Sequence, residues 1–346
     1  MERGQKVHTT GIPEADALIH KILALYPGAE NRDLAEELIV FTLRLLSDGA
    51  ARGDMKILRS ALKEIRHAFR VFTQYRGVRK VTIWGSARVE PGHACYELAR
   101  DFARAMAQRG WMAITGAGSG IMQAGNEGAG RAMSFGINIQ LPFEQQANPV
   151  IEGDPKNITF KYFFARKLIF VKESHALTLF PGGFGTLDEG LEALTLIQTG
   201  KAEMRPIIFL APPGNPYWRN LEGFFAENLF RQGYLSPEDR SLFHIHDSVA
   251  AACDEIERYY RVFHSMRYVD GRLVLRLIRE LPDEEVAELN RDYADLLESG
   301  RIEKVPASHE EIDGGDHPEL PRLALRFNRR DLGRLHDLID RINRAK

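Results

Sequence analysis

Two rhythms of apolar residues divide this sequence. Through the first 78 residues, apolar positions recur at spacings of three and four, along 34–45 and again along 57–69, as in amphipathic helices. From Lys80 onward, short apolar runs alternate with helical stretches, and the predicted strands are 81–84, 112–115, 137–141, 177–180 and 207–210. We therefore expect a helical N-terminal extension, then an α/β domain with a Rossmann-like parallel sheet covered by helices on both faces.

The C-terminal part of the chain has a different order of elements. From about Arg267, strand-like segments at 273–277, 302–305 and 323–327 and helical segments at 283–297 and 329–344 predict a βαββα unit. This order is close to a ferredoxin-like unit that lacks one strand. The sequence thus predicts a helical extension (1–78), a Rossmann-like domain (79–263) and a small α+β unit (267–346), for which we expect a role in regulation or assembly.

Composition limits the classes of binding partner and the cellular compartment that we expect for this protein. The 46 Lys and Arg residues are balanced by 48 Asp and Glu, so no bulk charge draws the chain to nucleic acid or an anionic membrane. Cys95 and Cys253 lie far apart and in no CxxC pattern, which fits a reducing compartment. No apolar run approaches the roughly 20 residues that span a bilayer, and the first residues lack an apolar signal-peptide core. We expect a cytoplasmic protein.

Glycine-rich turns follow three of the predicted strands: GSAR at 85–88, TGAGSG at 115–120 and PGGFGT at 181–186. Glycines let the backbone approach a phosphate closely, and the helix that follows offers free N–H groups and a positive dipole end. Ligands of open α/β sheets bind at the carboxyl ends of the strands, so we expect the three turns to converge on one crevice. A single such turn is as often structural, but three together favour a phosphate-bearing ligand.

Cofactor and metal sites are not expected. The segment 116–120 superficially resembles GxGxxG, but its spacing is wrong and it follows the second strand, whereas the dinucleotide fingerprint belongs to the first βα turn. His244 and His246 form an HxH pair, yet no carboxylate or cysteine cluster joins them in the sequence, which argues against a metal site.

The motifs together resemble the LOG family, the cytokinin riboside 5'-monophosphate phosphoribohydrolases once mislabelled lysine decarboxylases. PGGFGTLDE at 181–189 matches the family signature PGGxGTxxE. The other matching segments, in the family's order, are GSAR, TGAGSGIMQAGNEGA at 115–129, LPFEQQANP at 141–149 and FFARKLIFVKESHALTLF at 163–180. The resemblance covers about residues 79–263, and both ends look like extensions of longer bacterial members, which include nucleotide 5'-monophosphate nucleosidases of broader base preference.

This resemblance implies hydrolysis of AMP or an N6-prenylated AMP to free base and ribose 5-phosphate, without a cofactor or metal, by a homodimer or larger homo-oligomer. It places the catalytic pair on Arg166 and Glu189. A carboxylate can stabilise an oxocarbenium-like sugar or position water, and an arginine can hold phosphate by paired hydrogen bonds. The other implied site residues are Gly182, Gly183, Gly185 and Thr186 for the phosphate, and Ser86, Gly116 and Met122 for the nucleoside.

Several of these sequence features also have other interpretations. Thr186 and Glu189 also fit a capping box, in which both satisfy helix N-terminal amides, and Arg166 alone would pass for a solvated helix residue. The aromatic residues at 160–164 are expected in the core, although one ring could stack on the base. The same fold also serves a molybdenum cofactor carrier, so a binding protein is the main alternative to an enzyme.

Two departures from the family pattern stand out. Members commonly read TGGGPG where this chain reads TGAGSG, so Ala117 and Ser119 are expected to alter the fit around ribose or base. Gly190 follows the motif glutamate where an apolar residue is usual, at a cost of roughly 1 kcal/mol to the helix relative to alanine. Nothing in the sequence explains that glycine.

Overall fold

The computed structural model describes residues 8–141 and 146–345. Residues 142–145, within the LPFEQQANP segment, lie outside these ranges. Contacts along the chain define two compact units, Met1–Glu64 and Ile65–Lys346. In the described ranges, no helix combines the length and the apolar character needed to cross a membrane.

The predicted helical N-terminal extension is confirmed. Its helices are α1 (Pro13–Leu23), α2 (Arg32–Ser47) and α3 (Arg52–Thr73), of which α3 continues into the second unit. Pro13 suits the first turn of α1, where its missing N–H has no helical partner. Ile19 and Leu23 of α1 pack against Val40 of α2 in a small core. The extension therefore has a core of its own.

A seven-stranded parallel sheet forms the centre of the second unit. Its strands are β1 (Lys80–Trp84), β2 (Met112–Thr115), β3 (Ser134–Ile139), β4 (Asn157–Phe160), β5 (Ala176–Leu179), β6 (Ile207–Leu210) and β7 (His244–His246). Their order is β4-β3-β2-β1-β5-β6-β7, and every neighbouring pair is parallel. Strands β1, β2, β5 and β6 are buried at every position, as expected for a sheet covered on both faces. The predicted Rossmann-like α/β fold is confirmed.

Five helices link these strands, α4 (Ala94–Gln108), α5 (Ile121–Ala129), α6 (Phe163–Glu173), α7 (Phe184–Gln198) and α8 (Tyr217–Phe225), and α9 (Val249–Tyr259) follows β7. The strand order runs one way from β1 to β4 and the other way from β5 to β7, so the direction reverses between β1 and β5. Such a switch point opens a crevice outside the carboxyl ends of the strands. The turns GSAR and PGGFGT follow the two strands that flank it.

Packing explains the glycine that the sequence left without a reason. Gly190 lies in α7, where a Cβ would approach Leu179 Cδ2 to 2.3 Å. The residue lets α7 lie close against β5, the strand that leads into the PGGFGT turn. Its cost in helix propensity is thus offset by packing against the sheet.

Two strand predictions were wrong in the sheet. Strand β3 covers Ser134–Ile139 rather than 137–141, and β4 was not predicted. The buried Ser134 and Gly136 pair with β2, but they are not apolar and gave no strand signal. Leu141 lies beyond the strand and is exposed, which leaves it free to line the neighbouring crevice.

The small C-terminal α+β unit is confirmed, but its element order was wrong. A four-stranded antiparallel sheet has the order β10-β11-β9-β8. Its elements are β8 (Phe263–Val269), β9 (Arg272–Leu277), α10 (Asp283–Asp292), β10 (Leu297–Lys304), α11 (His309–Asp313), β11 (Arg322–Phe327) and α12 (Leu332–Arg344). The βαββα prediction missed β8, since this edge strand buries only its two terminal residues and carries polar side chains between them. The boundaries 79–263 and 267–346 stay a prediction.

A buried carboxylate joins α11 to the antiparallel sheet. Glu311 accepts hydrogen bonds from Arg276 of β9 (Nη2 to Oε1, 2.8 Å) and from Arg322 of β11 (Nε to Oε2, 3.3 Å). The Ser308 amide also donates to Glu311 Oε2. Burial by itself raises the pKa of Glu311, but the hydrogen bonds and charges of these partners bring that pKa below its usual value.

We predict that Glu311→Ala lowers the free energy of unfolding by about 3–5 kcal/mol at neutral pH, because it removes the closest carboxylate from two buried guanidinium groups, those of Arg276 and Arg322. Urea denaturation measures the change. Glu310→Ala is the matched control, since Glu310 is exposed and its pair with Arg267 should contribute less than about 1 kcal/mol. Because the pKa of Glu311 is lowered, the stability it contributes is lost as pH falls. Equal losses in the two variants would contradict the prediction.

Candidate active site

A crevice of about 770 Å³ opens at the carboxyl edge of the parallel sheet, beside the β1/β5 switch point. Its walls include residues of all three glycine-rich turns, so the expected convergence of these turns is observed. The crevice brings together every site residue that the family resemblance implied. These are Arg166, Glu189, Gly182, Gly183, Gly185, Thr186, Ser86, Gly116 and Met122.

Backbone contacts around Ser86 hold the three turns together. The Ser86 amide donates to the carbonyl of Pro181 (3.2 Å), and the Ser86 carbonyl accepts from the Ile121 amide (3.0 Å). A Cβ at Gly120, whose φ is +65°, would lie 2.3 Å from the Ser86 carbonyl oxygen. A Cβ at Gly182 would lie 3.0 Å from the Ser86 nitrogen. Glycine is therefore required at both positions for the turns to approach this closely.

The PGGFGT turn presents unpaired donors to the crevice. Helix α7 begins at Phe184 with Gly183 as its N-cap, so the amides of its first turn have no helical partner. In the described part of the chain, no hydrogen bond engages the Thr186 hydroxyl. A Cβ at Gly183 or Gly185 would meet no atom within 4 Å, so space remains beside these amides. The turn has the form of a phosphate-binding helix N-terminus.

Arg166 and Glu189 face each other across the crevice floor. Arg166, from the first turn of α6, donates from Nε to the carbonyl of Ile137 at 2.8 Å, which fixes its guanidinium plane. Its Nη1 lies 3.4 Å from Glu189 Oε1 of α7. A Cβ at Gly116 would lie 2.4 Å from Arg166 Nη2, so this glycine makes room for the guanidinium. The side chains of Arg166 and Glu189 are only 8% and 13% exposed.

Burial shifts the pKa of both groups. It raises the pKa of Glu189 to about 7, although the charges of Arg166 and Lys167 oppose the shift. It lowers the pKa of Arg166, and Glu189 opposes that change. A carboxyl group whose pKa lies near neutrality is suited to proton exchange with water or a leaving group.

Comparison with known proteins decides the family. Residues 116–256 match the family model described as "Possible lysine decarboxylase". The chain is 30% identical over 166 residues to a cytokinin riboside 5'-monophosphate phosphoribohydrolase from Mycobacterium tuberculosis, covering 47% of this chain and 86% of the relative. This chain belongs to the LOG family. A probable cytokinin riboside 5'-monophosphate phosphoribohydrolase from Oryza sativa subsp. japonica is 30% identical over 112 residues, 31% of this chain and 51% of that relative.

Solved structures of low identity are similar to part of this chain. One is the molybdenum cofactor binding protein from the phototrophic bacterium Rippkaea orientalis, which is 22% identical, with a TM-score of 0.37. The match covers 52% of this chain and 96% of that one. Nothing about the activity of this LOG-family chain follows from it.

The structure excludes two interpretations in which the signature residues have no role in the site. Thr186 is the third residue of α7 rather than its N-cap, so the capping box with Glu189 was wrong. Glu189 lies one turn further into the helix and contacts Arg166 instead of the helix N-terminal amides. Arg166 is buried, which excludes the reading as a solvated helix residue.

Several crevice residues were missed at the sequence level. Arg88, in the GSAR motif, lines the crevice, and in residues 8–141 and 146–345 it forms no ion pair. Phe163 and Phe184 also line it and are exposed, Phe184 by 94%. Of the aromatic residues at 160–164, Phe160 is buried, whereas Phe163 and Phe164 are exposed, so assigning them all to the core was wrong. The motif letters in GSAR and FFARK were the signal that could have pointed to Arg88 and Phe163.

Ala117 and Ser119, the departures from the family pattern, do not line the crevice. Ala117 is fully buried, with a φ of 63° that favours glycine, and its amide donates to Thr115 Oγ1. Ser119 donates from Oγ to the carbonyl of Ala87 (2.8 Å). Both residues act on the shape of the turn, and their effect on the fit around ribose or base stays a prediction.

The HxH pair has a carboxylate partner after all. Glu255 of α9 accepts from His244 Nδ1 at 2.5 Å and also contacts His246 Nε2. The sequence shows no carboxylate or cysteine cluster beside these histidines, and the fold adds a single carboxylate, because β7 and α9 bring residues nine and eleven positions apart into contact. Searched over the described ranges, the chain has no group of three or more His, Cys, Asp or Glu side chains placed to hold a metal ion.

We predict that Thr186→Val leaves the free energy of unfolding unchanged within about 0.5 kcal/mol, because its hydroxyl caps no helix. Chemical denaturation of both proteins measures the difference. Ser308→Ala is the positive control: Ser308 is the true N-cap of α11 and should lose about 1 kcal/mol. If Thr186→Val lowered the free energy of unfolding as much as Ser308→Ala, Thr186 would have to be a helix cap.

Proposed function

We propose that this LOG-family chain hydrolyses the N-glycosidic bond of a nucleoside 5'-monophosphate and releases the free base and ribose 5-phosphate. The observation that carries the proposal is the buried pair of Arg166 and Glu189 beside an open helix N-terminus of the phosphate-binding type. The names of the two relatives support the same reaction. AMP is the default substrate, and an N6-prenylated AMP is the more specialised one.

The phosphate end of the substrate is assigned to the PGGFGT turn. The first amides of α7 and the Thr186 hydroxyl donate to phosphate oxygens, and the dipole of the helix favours the negative charge. Gly182 brings the turn close, and Tyr217 orients it by donating to the Gly182 carbonyl at 2.6 Å. Arg88 adds a cation at the crevice mouth that is free to approach the phosphate.

The reacting sugar is assigned to the space between Ser86, Gly116, Met122 and the catalytic pair. As the C1'–N bond breaks, positive charge develops on the ribose ring, and the ionised Glu189 stabilises it. Glu189 also accepts a proton from the water whose oxygen bonds to C1', while the base leaves with the bonding electrons and takes up a proton. Arg166 holds Glu189 in place and offers its remaining N–H groups to the substrate.

A molybdenum cofactor carrier is the alternative from another functional class. A carrier has to bind its cargo but has no use for a buried carboxyl group whose pKa lies near neutrality. The Arg166–Glu189 pair therefore favours the enzyme. Binding of a pterin cofactor without turnover of any nucleotide would favour the carrier.

We predict that the protein cleaves AMP but scarcely acts on adenosine, because the crevice offers most of its donors to the phosphate. Chromatographic separation of products from a panel of nucleoside monophosphates and their nucleosides measures this. The same reaction run in EDTA should proceed at an unchanged rate, since the residues assigned to catalysis include no metal ligand set. Comparable turnover of adenosine and AMP would contradict the proposal.

We predict that Glu189→Gln lowers kcat by on the order of 10² or more, because glutamine keeps the shape but cannot carry the charge. Steady-state kinetics with AMP measure the change. Asp188→Asn is the matched control: Asp188 neighbours Glu189 but is largely exposed and pairs with Lys167. Near-normal turnover in Glu189→Gln would remove Glu189 from the mechanism.

The same carboxyl group should set the pH dependence of this reaction. Because burial raises the pKa of Glu189 to about 7 and the reaction uses its ionised form, kcat/KM should rise with pH and level off above about 7. Substrate phosphate also ionises, near about pH 6. The residual activity of Glu189→Gln distinguishes the ionisation of Glu189 from that of the substrate. Its pH profile should retain only the change in rate that comes from the substrate phosphate.

We also propose that the chain works as a homodimer or larger homo-oligomer. Helices α6 and α7, which carry the catalytic pair, expose the large apolar side chains of Phe164, Leu168 and Leu191. Exposed apolar surface of this kind is stabilised when a second copy covers it.

We predict a mass in solution of at least twice the 39.2 kDa of one chain. Light scattering coupled to gel filtration measures it, and Leu168→Glu should shift the mass toward the monomer. Ile278→Glu, at another exposed apolar position, is the control that should leave the mass unchanged. A wild-type monomer at working concentration would contradict the proposal.

A further inference from the structure

A second cavity, of about 320 Å³, lies at the opposite edge of the parallel sheet, where the C-terminal antiparallel sheet packs against it. Its walls come mainly from the residues that precede β1, β5 and β6 and from the first half of β8. It shares no residue with the crevice described above. Its size is at the lower end of the range for small-molecule sites.

Positive charge dominates the lining of this cavity. Four cationic side chains, Arg76, Arg79, Lys172 and Arg205, line it with one carboxylate, Glu203, although Lys172 also pairs with Glu173 outside the lining. The chain as a whole carries a formal net charge of −2, so this excess is local. A concave site with one sign of charge concentrates ligands of the opposite sign.

The arginines of the cavity lack carboxylate partners in the described ranges. The Arg79 guanidinium stacks on Tyr260, 3.8 Å from its ring centroid, and enters no ion pair. Arg205 is 5% exposed. It donates from Nε to the carbonyl of Glu203 and from Nη1 to the carbonyls of Val171 and Ser174. These carbonyl contacts orient its guanidinium without neutralising it. Buried cations of this kind are costly unless an anion compensates them.

Two histidines beside these arginines respond to the same positive field. Burial, followed by the charges of Lys80, Arg205 and Arg79, lowers the pKa of His175 to about 3. Burial and His317 lower the pKa of His264 to about 4. Neutral imidazoles can donate to an anion, and His175 accepts from the Lys80 amide at Nδ1, which leaves its Nε2–H as a donor.

We propose that this cavity binds a compact anion with two or more phosphate groups, held mainly by Arg79 and Arg205. Guanidinium groups donate strong hydrogen bonds to phosphate oxygens, and Arg205 keeps its Nη2 donors for an anion, while Arg79 is held against Tyr260 without a carboxylate partner among the described residues. The binding site joins the catalytic domain to the C-terminal unit, because β8 supplies one wall and His175 another. The C-terminal unit would therefore take part in ligand binding, although no motif in its sequence indicates this.

Inorganic pyrophosphate is the probe, titrated by calorimetry into the full-length protein. Gly77→Glu places a carboxylate in the cavity lining at a position where a Cβ meets no atom within 4 Å, so the fold should tolerate it. Gly183→Glu does the same at the phosphate turn of the crevice. Gly223→Glu in α8, also in open space and in neither site, is the control for the added charge. Circular dichroism verifies that all three variants fold.

We expect Gly77→Glu to weaken one pyrophosphate site by at least about tenfold, as a charge within a few ångströms should, while Gly183→Glu and Gly223→Glu retain that site. Citrate should bind this site more weakly than pyrophosphate. Unchanged pyrophosphate binding in Gly77→Glu, or wild-type binding that Gly183→Glu alone abolishes, would overturn the proposal and leave the catalytic assignment intact. Citrate binding as tight as that of pyrophosphate would overturn the phosphate preference.

Discussion

Close approach of three backbone turns at the carboxyl edge of the sheet is the constraint on which the site depends. Ser86 after β1 accepts from the start of α5 and donates to the turn after β5, so one residue ties the ends of three strands. That geometry exists only because Gly120 and Gly182 leave no Cβ between the turns. Once the turns are joined, the N-terminus of α7 points its free amides into the crevice.

The Arg166–Glu189 pair is a buried ion pair with few hydrogen-bond partners. Taking both charges out of water is costly, and their contact at 3.4 Å with one further hydrogen bond to Ile137 compensates only in part. The raised pKa of Glu189 expresses that imbalance. In the C-terminal unit, by contrast, Glu311 receives enough donors for its pKa to fall. A fully satisfied carboxylate supports the fold, while a partly satisfied one remains available for chemistry.

The two edges of the parallel sheet present different kinds of hydrogen-bond donor. At the carboxyl edge, the donors are mostly backbone amides of a helix N-terminus, which suits a terminal phosphate. At the other edge, the donors are arginine side chains held by carbonyls and by an aromatic ring. Strand β5 connects the two, with His175 just before it and the PGGFGT turn just after it. The C-terminal sheet adds its wall only at the second edge.

Local sequence determined the elements whose signals are local. The apolar runs of β1, β2, β5 and β6 and the glycine-rich turns after them follow from burial on two faces and from backbone conformation. Family motifs identified the residues of the crevice as well. Elements with weak local signals were missed: β4 is short and half-buried, and β8 is a polar edge strand.

Tertiary structure alone decided how distant residues meet. It made Glu189 the partner of Arg166 rather than a helix cap, and it gave His244 and His246 a shared carboxylate in Glu255. It explained Gly190 by Leu179, a residue of another element. It also assembled a basic cavity by bringing Arg205 to Arg76 and Arg79, which lie far from it in a chain of nearly neutral composition. Periodicity reports which face of an element is buried, but burial, pKa and charge density depend on what the fold places against that face.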